Sequence, residues 1–170
     1  VLQVTLPTNF KVARFDSDKS TAILRQLEKD VDAVRFDVPE GKIELPVKLR
    51  VHDSLFVPLA KWSMLLAGNY RCVTADGMRT AQEAVNANPA EAKSVYDFVF
   101  ELCVKIGASP KDLVPFEKYA EAAQSLSRPA SAARALQNGA PYIERADKLV
   151  QLIARQKEMR HPAIDAQVAL

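Results

Sequence analysis

At Asp53 the hydrophobic spacing of this chain changes and does not change back. Before it, apolar residues alternate or run continuously; after it, they recur every three to four positions. A period near two belongs to strands and one near 3.6 to helices. The chain therefore divides into a β-rich start at residues 1–52 and an all-α remainder at 53–170, a mainly α fold overall. In the first part VLQVTLP and FKVARF read as strands. Ser17 and Asp18 then open a helix over STAILRQLEKD that places Ile23, Leu24 and Leu27 on one face. VDAVRFDV and IELPVKLRV follow as strands, the second split by Pro46, which lacks the amide a central ladder needs.

In the second part the spacing predicts helices at about 53–71, 78–87, 90–107, 111–126, 129–138, 141–159 and 162–170. Punctuation agrees with that division. Asn88-Pro89 and Ser109-Pro110 are helix starts, Gly107 is a helix end, and Gly139 with Pro141 separates the last two long helices. The helix SVYDFVFELCVKIG carries Val95, Phe98, Val99, Leu102 and Ile106 on one stripe, opposite Asp97, Glu101 and Lys105. The helix PYIERADKLVQLIARQKEM sets Ile143, Ala146, Leu149, Val150 and Ile153 against a polar face with Glu144, Arg145, Asp147, Lys148 and Gln151. That polar face is either solvated or a site.

Composition excludes several functions. With 170 residues the chain can bury one sizeable core. Its 23 basic and 21 acidic side chains are interspersed, so it lacks the basic footprint of a nucleic-acid binder. The five glycines, at 41, 68, 77, 107 and 139, cannot spell GxGxxG or a P-loop, so the chain is expected to bind no dinucleotide by itself. The apolar stretch Leu55 to Gly68, broken by Pro58, Lys61 and Ser63, is too short for a bilayer, and no membrane partner is expected. Cys72 and Cys103 form no metal-ligand spacing and read as reduced core thiols of a cytoplasmic protein; no metal site is expected. Val1 and the uncapped IDAQVAL ending read as cut ends.

The closing segments PASAARAL, QNGAPYIERAD, KLVQLIARQ and RHPAID resemble the C-terminal helical domain of the ketopantoate reductase family. That family belongs to a wider group of reductases sharing a 6-phosphogluconate-dehydrogenase-like helical domain. LAKWSMLLAGN looks like the family's first long helix, which carries a tryptophan, a catalytic lysine and an asparagine, and the β-rich start resembles the last strands of its Rossmann domain. The VHD at Val51–Asp53 is similar to the histidine motif of opine dehydrogenases, which share the two-domain plan. One departure is plain: Met64 and Leu65 stand where the family has its lysine, and Lys61 precedes Asn69 by eight residues, about 80° past two full helical turns. The resemblance implies the substrate-binding, dimerising part of an NAD(P)-dependent reductase of a small 2-keto acid, with NADP or NAD held by a domain before Val1. Alone, such a part is inactive and binds no cofactor.

Ketone reduction needs a donor to the oxygen as hydride arrives at carbon, a task for Lys61 or His52. Their plainer roles are a snorkelling lysine and a solvated histidine. A substrate carboxylate suits an arginine fork or a hydroxyl at a helix start, here Arg134 and Ser131, although Ser131 can equally cap its helix. Asn69 orients substrate if the resemblance holds, or caps a helix after Gly68. Glu144 and Asp147 can hold a polar substrate group, or pair with Arg145 and Lys148. The rival class is a non-enzymatic helical module for self-association or partner binding.

Overall fold

The computed structural model describes residues 8–170, and the expected strand VLQVTLP lies outside the described residues. Eight α-helices and six short strands form among the described residues, so the chain is mostly helical with a small β component. It divides into two compact units, Val1–Pro58 and Leu59–Leu170. The division falls after Pro58 rather than after His52, because β4 and the loop that leaves it stay with the first unit.

In the first unit β1 (Thr8–Ala13) runs parallel to β4 (Val47–His52), with Phe10 opposite Leu49 and Val12 opposite Val51. A parallel pair needs a long crossover, and the chain supplies α1 (Asp18–Ala33) together with the hairpin β2 (Arg35–Val38) and β3 (Gly41–Glu44). Ser17 caps α1 by accepting the Ser20 amide at 3.3 Å. Buried Thr21 fixes the corner before it: its hydroxyl donates toward the carbonyls of Phe15 and Ser17 and accepts the Phe15 amide. The expected apolar face of α1 does not form. Ile23 is 67% exposed and Leu27 49%, while Leu24, Arg25 and Glu28 are partly covered. Polar attraction joins α1 to β4 instead: Asp32 accepts from Arg50 at 2.8 Å and pairs with Lys48 at 3.4 Å, and the Arg50 hydrogen bond lowers the pKa of its carboxyl. Pro46 separates β3 from β4, as its missing amide requires.

The second unit contains α2 (Ala60–Met64), α3 (Ala81–Asn86), α4 (Pro89–Lys105), α5 (Phe116–Ala123), α6 (Ser131–Gln137), α7 (Ala146–Gln156) and α8 (Pro162–Ala169). A two-residue hairpin, β5 (Val73–Thr74) with β6 (Gly77–Met78), precedes α3 and was not legible in the spacing. Asn88-Pro89 starts a helix as expected, whereas Ser109-Pro110 opens only a 3-10 turn at Pro110–Asp112 and the helix begins later, at Phe116. Thr80 and Glu83 cap α3 reciprocally, and Asn88 caps α4 ahead of Pro89. The core is organised on α4, whose buried face is Ala92, Val95, Tyr96, Val99, Leu102 and Cys103. Compared with the expected stripe, the face is turned toward Tyr96 and Cys103, leaving Phe98 half-buried. Tyr96 stacks on Tyr119 at 5.5 Å, meets Phe116 edge-on at 5.4 Å, and donates to the Val114 carbonyl. Burial of this cluster raises the pKa of both tyrosines and pushes the Cys103 thiol up to about 11.

Candidate functional site

The expected helix at 53–71 is broken into parts: a 3-10 turn at Val57–Leu59, α2, a π-helical turn at Leu65–Asn69, and a 3-10 turn at Tyr70–Cys72. Single π turns interrupt helices at a cost and collect at functional sites. The cause here is close packing at Gly68. A Cβ on that residue would lie 1.9 Å from the Tyr119 hydroxyl, which donates to the Met64 carbonyl at 3.1 Å. Gly68 is therefore a close-approach glycine inside a continuing helix rather than a helix end, and Asn69, with helical φ and ψ, is not a C-cap.

The widened turn feeds two anchors. The buried Cys72 sulfur lies 3.5 Å from the Gly68 carbonyl and accepts the Ala130 amide at 3.4 Å, so the residue before α6 is tied to the π turn. Ser131 is thereby held in the wall of a cleft that Asn69 also lines. The buried Tyr70 hydroxyl donates to the Glu144 carbonyl at 2.8 Å and accepts the Ala146 amide at 2.9 Å, fixing the segment that leads into α7. That segment was expected to be helical from 141. Instead 141–145 is irregular and α7 begins at Ala146, since Pro141 follows a left-handed Gly139 (φ 82°) and Tyr70 takes the backbone groups at Glu144 and Ala146.

These anchors shape an open cleft of about 330 Å³ whose polar lining is Asn69, Ser131 and Glu144, with Leu65, Tyr142 and Ile143 among its apolar walls. A neighbouring cleft of about 230 Å³ shares Tyr70, Tyr142 and Ile143 with it and adds Val73, Leu136 and Pro141. Arg145, Asp147 and Gln167 also border this second cleft.

The seven residues singled out in the sequence are thus divided. Asn69, Ser131 and Glu144 line the first cleft. Asp147 borders the second but is 1% exposed and gripped by Arg145 through two nitrogens, Nε to Oδ1 at 2.9 Å and Nη2 to Oδ2 at 2.9 Å. It therefore pairs with Arg145 rather than facing solvent. The polar face expected on α7 is divided: Glu144, Arg145 and Lys148 are exposed, whereas Gln151 is buried like Asp147 and donates to Asp165 of α8 at 2.5 Å, beside an Arg155–Asp165 ion pair; Leu149 and Leu152 are about half exposed. Arg134 is exposed on α6, on the flank of the cleft-lining face and about 60° around the helix from Ser131. Lys61 is exposed on α2 and is not a lining residue of either cleft. His52 closes β4 in the other unit, with a shielded Nε2 that has no hydrogen-bond partner among the described residues. Tyr70, Cys72 and Tyr142 were missed. The one clue to the first two was a glycine set inside an apolar helical run.

Among the described residues no cluster of His, Cys, Asp or Glu is placed to hold a metal ion, and no helix is long and apolar enough to cross a membrane. Comparison with protein-family models, with curated proteins and with solved structures finds no match to this chain.

Proposed function

We propose that this chain is the substrate-gripping helical portion, with an attached parallel-strand segment, of an NAD(P)-dependent reductase acting on a small 2-keto acid or related carbonyl. The observation that carries the reading is the convergence of Asn69, Ser131 and Glu144, distant in sequence, on one cleft of about 330 Å³. An amide, a hydroxyl and a carboxylate together can donate to a carbonyl oxygen and accept from the hydroxyl that replaces it, which suits both sides of a ketone reduction. Arg134, on the flank of the same helix face, is the cation assigned to the substrate carboxylate. The parallel pair β1–β4 with its helical crossover supports the same reading, since such units belong to sheets of dinucleotide-binding type. Lys61 and His52 remain the assigned proton donors, and neither stands in the lining of this cleft. The chain alone is therefore assigned grip, not turnover.

The test is a titration of the 170-residue chain, followed by NMR, with short 2-oxo and 2-hydroxy acids and separately with NADPH. The reading expects saturable millimolar binding of the acids that shifts the Asn69 and Ser131 amides, weakens about tenfold in Ser131→Ala, and is absent for NADPH. Failure of every acid to bind, or tight binding of NADPH, overturns it. One observation favours the alternative of self-association: Leu149 and Leu152, at i and i+3 on α7, are 49% and 47% exposed. A concentration-dependent molecular weight that Leu149→Lys abolishes would support that second reading.

A further inference from the structure

The two clefts share three residues, and each of the shared side chains, together with the polar groups nearby, constrains what the second cleft can take. Tyr70 has its hydroxyl committed on both sides, to the Glu144 carbonyl and the Ala146 amide, so only its ring is left to face a ligand. Ile143 is apolar. Tyr142 is 88% exposed, the most exposed of the large apolar side chains among the described residues. Beyond them the second cleft adds Val73, Leu136 and Pro141, and its one cation, Arg145, is held by Asp147 and also donates to the Val168 carbonyl at 3.0 Å. The second cleft offers mainly aromatic and aliphatic surface, with the Gln167 amide at its border and its charge already neutralised. An anion or a polar head gains little there.

Resting on the reading above, we propose that the two clefts are one two-part site and that the substrate is an amphipathic acid. Its oxygen-bearing head lies against Asn69, Ser131 and Glu144, and its apolar tail crosses the Tyr142 ring into the cleft walled by Val73, Leu136 and Pro141. Size fits this division. The second cleft is about 230 Å³, and about 150 Å³ is enough for a benzene ring, so one ring, or a branched or straight tail of about six carbons or more, fits within it. Tyr142 and Leu136 then determine specificity by selecting tail length, while the polar residues select the head.

The experiment titrates the full chain by NMR with straight-chain 2-hydroxy acids from three to eight carbons, and with hexanol as a probe that has a tail and no head. The proposal expects affinity to rise about two- to fourfold with each methylene up to a limit set by the cleft. Hexanol should shift the Val73 and Leu136 amides. In Leu136→Glu the dependence on chain length should vanish, and Tyr142→Ala should flatten it in part. If short acids bind but length has no effect and hexanol shifts neither amide, the two-part site is overturned and the reductase reading survives. If hexanol shifts Val73 and Leu136 while no acid binds near Asn69, the apolar subsite stands and the reductase reading falls.

Discussion

Residues 8–58 leave Phe10, Phe15, Ile23 and Phe36 half or more exposed and bury few apolar side chains, chiefly Leu49, Val51 and Val57. Residues 59–170 bury Tyr96, Val99, Leu102, Cys103 and Val150 almost completely. Parallel strands are normally covered on both faces, so a lone parallel pair joined to its helix by Asp32, Lys48 and Arg50 has little apolar burial to stabilise it. The helical unit differs in kind. Its core is largely aliphatic around the Tyr96–Phe116–Tyr119 cluster, and its few buried polar groups are mostly paired: Asp147 with Arg145, Gln151 with Asp165, and Arg71 with Glu91. Ion pairs therefore serve as the outer fastening in one unit and as internal pins in the other. Their removal should have unequal consequences.

The largest effect is expected at an internal pin. Arg145→Ala leaves the Asp147 carboxylate buried without its partner, which should cost about 3–5 kcal/mol in a urea titration, whereas Arg145→Met with Asp147→Leu should recover most of it. An unchanged midpoint in Arg145→Ala would erase the contrast with the surface pairs of the first unit. Next is Leu49→Ala, which empties one of the few buried positions behind β4 at a cost of about 3 kcal/mol. Hydrogen exchange should then accelerate across 8–58 and leave the α4 amides protected; equal acceleration in α4 would mean the two units do not respond separately.

Gly68→Ala follows, at about 1–3 kcal/mol, since the new methyl meets a Tyr119 hydroxyl whose ring is held by stacking on Tyr96. The double change with Tyr119→Phe should cost less than the sum of the two singles, and strict additivity would dismiss the close approach as the reason for the glycine. The smallest effect concerns pH. His161, bonded to Ser94 at 3.0 Å and set edge-on to Phe98, has its pKa lowered first by burial, with Arg71 nearby acting the same way and Glu91 and Asp165 opposing. Because the unfolded chain binds the proton more readily than the folded one, stability should decline as pH falls below about 6.5. His161→Asn should flatten that slope, and a His161 ring proton titrating above 6.5 would reverse the sign.

How legible the molecule was depends on the range of the interaction involved. The helix that begins after the Asn88 cap and those that end near Gly107 and Gly139 follow from capping, proline position and backbone freedom, which neighbouring residues decide. The interruption at Leu65–Asn69 does not follow, because its cause is Tyr119, a residue some fifty positions away whose hydroxyl needs the space at Gly68. Asn69 and Ser131 were both visible as polar residues at element ends, yet their meeting depends on the Cys72 sulfur joining Gly68 to Ala130. Periodicity misjudged α7 for a related reason. A helical wheel ranks Leu149 above Asp147 for burial, and it cannot see that Arg145 neutralises Asp147 while Leu149 is left half exposed.

By itself, then, the sequence determined where backbone period changes, where most helices start and stop, and that no phosphate-binding glycine loop is present, because these depend on single residues and their nearest neighbours. Tertiary structure alone decided which face of each helix is buried, where the π turn falls, and that two clefts share the Tyr142 wall. Those outcomes turn on contacts between residues far apart in the chain, where close packing lets one hydroxyl or one sulfur override a local preference of less than a kilocalorie.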